Sequence, residues 1–444
     1  MNITRWALAT LPLLLSACAQ FGNPFGAKPS EFSPAGLQAL QPAQLRSTLG
    51  TAQQAQARRE QARAQLLAAL PQALARPEDP AVLQALAQGL ESAAHYNMEL
   101  ERAQPALLAV LPTLDRQPAA LQRPLLTAAY SLYPEAARPA LRPLLARLAS
   151  PREFAIAAYA LLGSGEAADR ALVQAQLQQR LAQTPNEPRL LALVQALQPT
   201  PARPPLAELF RARPGHVVVF SLQRPGRQQM GLALVRQADG RFVRRPDGGL
   251  FNIAQLALAR SGLPGTLTLG NTPQGLFTIQ GAGRAASNVW IGATPYLHTK
   301  VPLEASVAEF EQRAPGSDEP AWSEARYTAL LPAAWRGYAP LREAWLAGRA
   351  GRDEMLMHGS TMDPQDYRGQ PYFPGTPSAG CLVAMEYWGP DGALLHSDQL
   401  ALLKAFTGSG QDRGYLLLLE LDAAPTPVSL AEVIAAVREA EARP

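Results

Sequence analysis

Cysteine is nearly absent: the 444 residues contain 2, Cys18 and Cys381. No disulfide network can staple such a chain, so its cores must be built from buried hydrocarbon. Histidine is also scarce, at 5. No set of His, Cys, Asp and Glu has metal-ligand spacing, so neither a metal nor another cofactor is expected. Lysine stands only at 28, 300 and 404, and arginine carries the net charge of +4. No dense basic patch interleaves with aromatics, which sets nucleic acid aside as a partner. Beyond the first residues, no apolar run is long enough to cross a bilayer.

What is present begins with an address. Arg5, an apolar run from Trp6 to Leu15, and then Leu15-Ser16-Ala17-Cys18 read as a lipoprotein signal over 1–18. The run is too short for a membrane-spanning helix. Cys18 is expected to become the lipidated first residue, since several acyl chains on one residue give lasting membrane attachment. Ala19 resembles the sorting state for the outer membrane of diderm bacteria, which implies its periplasmic face. With Cys18 lipidated, Cys381 has no partner within the chain. A lone thiol in an oxidising compartment is a mark of reactivity.

Residues 19–35 read as a tether and 36–198 as an α-helical domain. Leu66, Leu67, Leu70 and Leu74 have helical spacing. Helix starts are expected at Pro80, Pro118, Pro151 and Pro185, at intervals of 38, 33 and 34. Ser150 with Glu153, and Thr184 with Glu187, fit the capping box. Such spacing suggests stacked helical pairs, as in a solenoid. The domain is either a grip for an envelope protein or glycan strand, or a spacer.

The prolines of 199–214 mark a stiff linker. Beyond it, strands are expected at His216–Leu222, Gly231–Val235, Thr266–Leu269, Leu276–Gln280 and Tyr415–Leu421. A helical insertion is expected over 301–352, either a lid or an embellishment whose aromatics form a small core. Helices are expected over Ser397–Phe406 and, capped by Ser429, over 426–444. The fold class is therefore multidomain α + β: an all-α helical-repeat-like domain, then a mainly β domain over 215–425.

In this second half His358-Gly359 precedes Ser378-Ala379-Gly380-Cys381. A thiol is a strong nucleophile as thiolate, and an imidazole is the usual means of supplying that form near neutral pH. Gly380 admits an unusual backbone angle, leaves the sulfur uncrowded, and lets the amides of Gly380 and Cys381 turn toward an incoming carbonyl oxygen as an oxyanion hole requires. The pair points to acyl transfer through a thioester.

Upstream, Asn271-Thr272-Pro273-Gln274-Gly275-Leu276-Phe277-Thr278-Ile279 resembles the T-P-x-G-x-F-x-I segment of the YkuD-type L,D-transpeptidases. In that family a His-Gly pair and a Ser-x-Gly-Cys segment follow, matched by His358-Gly359 and 378–381. The resemblance covers roughly the last half of the chain. Ala379 stands where the family has a basic or imidazole side chain, and Val383 where it often has Arg. The Ala384-Met385 pair is closer to the YafK-like branch, which includes a hydrolase that releases a murein-linked lipoprotein.

The resemblance implies a β-sandwich with the thiol at one edge, Cys381 as nucleophile and His358 as general base. It further implies that a backbone carbonyl at Gly359 or nearby orients the histidine, that Gly380 serves the oxyanion hole and that Ser378 supports the loop. Tyr296, His298, Tyr367 and Arg368 are candidates for contact with a peptidoglycan stem peptide. An amine acceptor would make the chain a transpeptidase; water would make it a carboxypeptidase or hydrolase. The third possibility is a murein-binding scaffold with a decayed site, motivated by positions 379 and 383.

Overall fold

The computed structural model describes residues 30–285, 290–317 and 319–442. The signal and Cys18 lie outside the described residues. The short helix α1 (Pro34–Ala39) leads to α2 (Ala52–Ala75), α3 (Pro80–Tyr96), α4 (Leu100–Val110), α5 (Ala119–Leu132), α6 (Pro134–Leu144), α7 (Pro151–Leu162), α8 (Ala167–Gln183) and α9 (Pro188–Ala196). Helices two apart in sequence touch: α3 packs on α5, α5 on α7 and α7 on α9, while α2 packs on α4. The result is a two-layer stack of helical hairpins. Each contributes an apolar stripe, such as Val82, Leu83, Leu86 and Leu90 of α3, to one core. Gly89 lets α2 and α3 approach closely, since a Cβ there would lie 3.2 Å from the Leu66 Cα.

Two details of this half differ from the spacing-based reading. Thr184 ends α8 rather than starting a helix, and Glu187 caps α9 by accepting the Arg189 amide. Pro188, three residues beyond Pro185, takes the first helical position, where a missing N–H costs nothing. Pro71, Pro105 and Pro124 lie inside helices rather than at their starts.

After α10 (Leu206–Leu209) come β1 (Val217–Gln223), β2 (Gly231–Arg236), β3 (Ile253–Leu256), β4 (Gly275–Gly283) and β5 (Tyr296–Lys300). Helices α11 (Val307–Glu311), α12 (Glu324–Ala329) and α13 (Glu343–Arg349) precede β6 (Leu356–Gly359), β7 (Leu382–Ala384), β8 (Glu386–Trp388) and β9 (Leu394–Ser397). Helix α14 (Asp398–Thr407), β10 (Gly414–Glu420) and α15 (Ile434–Glu441) complete the chain. The expected sandwich is instead a closed barrel, in the order β1-β10-β4-β5-β6-β7-β3-β2. It closes because β1 pairs with β10 on one side and β2 on the other, leaving no free edge in that ring. Thr266–Leu269 is a turn, not a strand, and its Leu267 packs into the core of the helical stack.

The two halves are tied together more closely than tether and linker imply. Leu37 of α1 belongs to the barrel core, and Leu40 and Leu45 pack with Leu394 and Leu400. Residues 30–50 thus lie against the barrel, and helical packing starts at α2. The 199–214 stretch is not a free spacer either. Leu209, Phe210 and Ala212 enter the barrel core, and buried Arg236 donates to the Phe210 carbonyl at 2.7 Å. The 301–352 insertion buries Phe310, Tyr327, Trp335 and Trp345 in that same core. The partly buried Glu343 carboxylate accepts the amides of Gly265 (2.9 Å) and Gln274 (2.8 Å), so the insertion braces the Thr-Pro-x-Gly turn.

Candidate active site

Strands alternate their side chains between two faces. Leu297, Met357, Leu382 and Ala384 point into the barrel core. Their neighbours Tyr296 and His298, Leu356 and His358, and Cys381 and Val383 therefore share the outer face. Strands β6 and β7 are parallel, with Met357 opposite Leu382 and His358 opposite Val383. Cys381 immediately precedes β7, one row below His358. A parallel pair needs a crossover, and the loop from Ser360 to Gly380 supplies it.

His358 is 3 % exposed, and its Nδ1 lies 2.9 Å from the Gly359 carbonyl oxygen. With Nδ1–H donating to that oxygen, Nε2 is the proton-accepting nitrogen. Burial, opposed by the Gly359 carbonyl and reinforced by the Arg260 charge, lowers the imidazole pKa to about 4. The ring is thus neutral near pH 7, the state a general base requires. Cys381, in no disulfide among the described residues, is of intermediate exposure. Its sulfur accepts the Leu356 amide at 3.4 Å and donates to the Glu354 carbonyl at 3.8 Å, among Tyr296, Ile291 and Leu356.

The nucleophile loop is tightly held. Ser378 Oγ donates to the Cys381 carbonyl at 2.8 Å and accepts the Gly380 amide at 2.9 Å. Its backbone bonds Leu258 and Arg260. Gly380 sits at φ +127°, and a Cβ there would lie 2.7 Å from the Gly270 oxygen and from Arg352 Nη2. The expectation that the Gly380 amide faces an incoming oxygen is not met, because Ser378 Oγ already occupies that amide.

Of the candidate substrate contacts, Tyr296 lies in the sulfur's apolar cluster, and His298 stands opposite Leu356 in the sulfur's own row. Burial lowers the His298 pKa to about 4. Tyr367 and Arg368 are turned elsewhere. The Tyr367 hydroxyl donates to the His95 carbonyl at 2.6 Å, locking the crossover loop to α3, and exposed Arg368 folds back on Gln365.

Four contributors escaped the sequence reading. Thr272 Oγ1 donates to the Gly380 carbonyl at 2.9 Å, so the Thr-Pro-x-Gly segment holds the nucleophile loop directly. Arg352, nearly buried, bonds the carbonyls of Gly265, Leu267 and Gly270 beneath that loop. Glu386, fully buried, fills the space over Gly359, and burial raises its carboxyl to about 7. His95 of α3 lines a small cavity together with His358, Arg260, Ser360 and Thr376. Only Thr272 lay in a motif that pointed here; the rest are brought in by tertiary packing.

The Thr361 and Met362 side of this cavity also borders a wider groove of ≈ 900 Å³, open to solvent, between the start of α2 and Trp388. No family model matches the chain, and neither the curated proteins nor the solved structures yield a significant match.

Proposed function

We propose that the chain is a peptidoglycan-modifying cysteine acyltransferase of the L,D-transpeptidase type, held at the periplasmic face of the outer membrane through lipid on Cys18. The carrying observation is the placement of Cys381 and His358 on one face of a parallel strand pair, with His358 Nδ1 anchored to the Gly359 carbonyl. The three sequence motifs support the same reading. Two of them meet in space, through the Thr272 hydroxyl on the Gly380 carbonyl.

In this reading Nε2 of His358 takes the proton from Sγ of Cys381 as the sulfur attacks a stem-peptide carbonyl carbon. The C–N bond of the terminal residue breaks, and the imidazolium returns its proton to the leaving amine. This leaves a thioester and a free amino acid. An amine or water then releases the acyl group by the reverse proton traffic. Because the Gly380 amide is occupied, the developing oxyanion is served by another donor or by a loop that shifts on substrate binding.

The test is incubation of the full-length protein with purified sacculi, followed by analysis of the released muropeptides. Cross-linked products identify an amine acceptor, and trimmed stems identify water. Products that persist unchanged with Cys381→Ala, or no product with intact protein, would refute the reading.

A further inference from the structure

Outside the barrel ring, β8 and β9 form a two-stranded sheet. Two side chains of β8 meet the segment that follows His358. The Trp388 indole Nε1–H donates to the Ser360 carbonyl at 3.0 Å. The Glu386 side chain, 0 % exposed, occupies the space where a Cβ on Gly359 would stand. Gly359 ends β6 outside the left-handed region, so its missing side chain answers to this carboxyl group rather than to the backbone angle.

The Gly359 carbonyl is the acceptor on which the His358 ring depends. It takes the Nδ1–H at 2.9 Å and the Gly292 amide at 3.3 Å. Gly292 packs on the same carboxyl group, since a Cβ there would lie 2.7 Å from Glu386 Oε2 and 2.9 Å from the Gly359 oxygen. The carboxyl is itself held from behind. Ser397 Oγ donates to Glu386 Oε1 at 2.5 Å, and as the N-cap of α14 it accepts the Leu400 amide at 2.9 Å. The Thr294 hydroxyl and Asp398 stand close by. A helix start thus fixes a side chain, and that side chain fixes the peptide plane whose oxygen orients the imidazole. Which ring nitrogen of a histidine carries the proton is set by the bond the other makes. Burying a carboxyl group costs free energy that hydrocarbon of the same size would not, so its place against two glycines calls for a role.

We propose that Glu386 is a positioning residue: wedged on Gly359, it holds the carbonyl that keeps His358 in its Nδ1–H tautomer, with Nε2 left to take a proton. The consequence for turnover rests on the acyl-transfer reading, whereas the state of the ring does not. Without the wedge the Gly359 peptide can rotate and release Nδ1. The ring then populates the tautomer with its proton on Nε2, which cannot accept another. Glutamine fills the same space, and its carbonyl oxygen can accept the Ser397 hydroxyl. Alanine leaves a gap.

The test reads the ring directly, by nitrogen NMR of full-length protein carrying isotope-labelled histidine, with the His358 signals assigned through His358→Gln. The parent protein is expected to show a single Nδ1–H tautomer at His358 near neutral pH. Glu386→Ala should show a mixture of tautomers. Its rate of muropeptide formation from sacculi should fall at least about tenfold, out of the roughly 10²–10⁴-fold that a general base supplies. Glu386→Gln should restore the parent spectrum and most of the rate. Gly359→Ala should lower the melting temperature, and adding Glu386→Ala should recover part of that loss, because the new methyl then has room. Thermal melts establish folding; if Glu386→Ala is unfolded, Glu386→Asp, one methylene shorter, takes its place. A mixture of tautomers already present in the parent, or a folded Glu386→Ala that keeps the single tautomer, would overturn the inference. So would a double variant no more stable than Gly359→Ala. Tautomer mixing in Glu386→Ala, in a protein whose parent makes no muropeptide, would leave the positioning role standing and strike the acyl-transfer reading instead.

Discussion

The helical stack and the barrel bury different things. The core of the stack is almost wholly Leu and Ala with a few Val, Ile and Phe, and most of its ion pairs, such as Arg76–Asp79, lie on the surface, although Asp169, 1 % exposed, pairs with Arg142. The barrel half buries Arg236, Arg352, His358, Glu386 and Gln399 beside its aliphatic core. Burying such groups costs free energy unless each is satisfied, so a fold retains them where they position chemistry or brace a loop. The stack can be understood largely by apolar burial, whereas the barrel requires a polar accounting. The exceptions within the stack are Asp169, Glu153 and His95, the last on the end of α3 tied to the crossover loop.

The largest expected effect separates activity from stability. His358→Gln keeps size and polarity but removes the base, and should lower product formation from sacculi by roughly 10²–10⁴-fold. Its melting temperature should change little. Leu86→Ala in the stack should do the opposite, costing about 2–5 kcal/mol in chemical denaturation because a fully buried side chain leaves a cavity. Turnover per folded molecule should then be nearly normal. If the two variants exchanged behaviours, the division of labour would be wrong.

Gly380→Ala is expected to cost about 1–3 kcal/mol, since φ +127° is open to glycine and the new methyl meets the Gly270 oxygen. It should also lower activity beyond what the stability loss explains, because the sulfur rides on that residue. An Ala at Gly165, also at positive φ but with open space around its Cβ, should carry the strain without loss of turnover.

The pH dependence of stability comes next. The His358 pKa is lowered from 6.5 to about 4, so its contribution is complete above about 6.5 and is lost as pH falls toward 4. The Glu386 pKa is raised from 4.5 to about 7, so its contribution is complete below 4.5 and is lost as pH rises through 7. The two trends oppose one another between 4.5 and 6.5; above that the Glu386 trend remains, together with those of Glu304, raised by burial to about 8, and Glu354, raised by burial to about 7. Denaturant titrations should therefore show stability falling from about pH 6.5 to 8, and Glu386→Gln should make that fall shallower. A profile unaffected by the substitution would show that Glu386 is not the source. The smallest effect belongs to the stack surface, where Arg76→Ala should change stability by less than about 1 kcal/mol.

Sequence reading served the two halves unequally, for physical reasons. Helix periodicity spans many residues, so α2 was legible from its leucines, and the starts of α3 and α7 from Pro80, Pro151 and the Ser150 cap. The central strands β1 and β10 read clearly because they are long runs of Val and Leu. Strands β3, β6 and β7 have four, four and three residues and carry the site, yet they are too short to show a period. The nucleophile and the histidine were visible because their chemistry is rare in this composition. Arg260, Arg352, Glu386 and His95 were not, since nothing local distinguishes a residue that packing will later bring to the site.

The central claim is a covalent one and can be read by mass. Full-length protein mixed with a stem tetrapeptide and quenched in acid should gain the mass of the peptide less its terminal residue. Digestion should place that adduct on Cys381, and His358→Gln should abolish it. Absence of any adduct while a small alkylating reagent still labels Cys381, or an adduct that forms equally well in His358→Gln, would contradict the account.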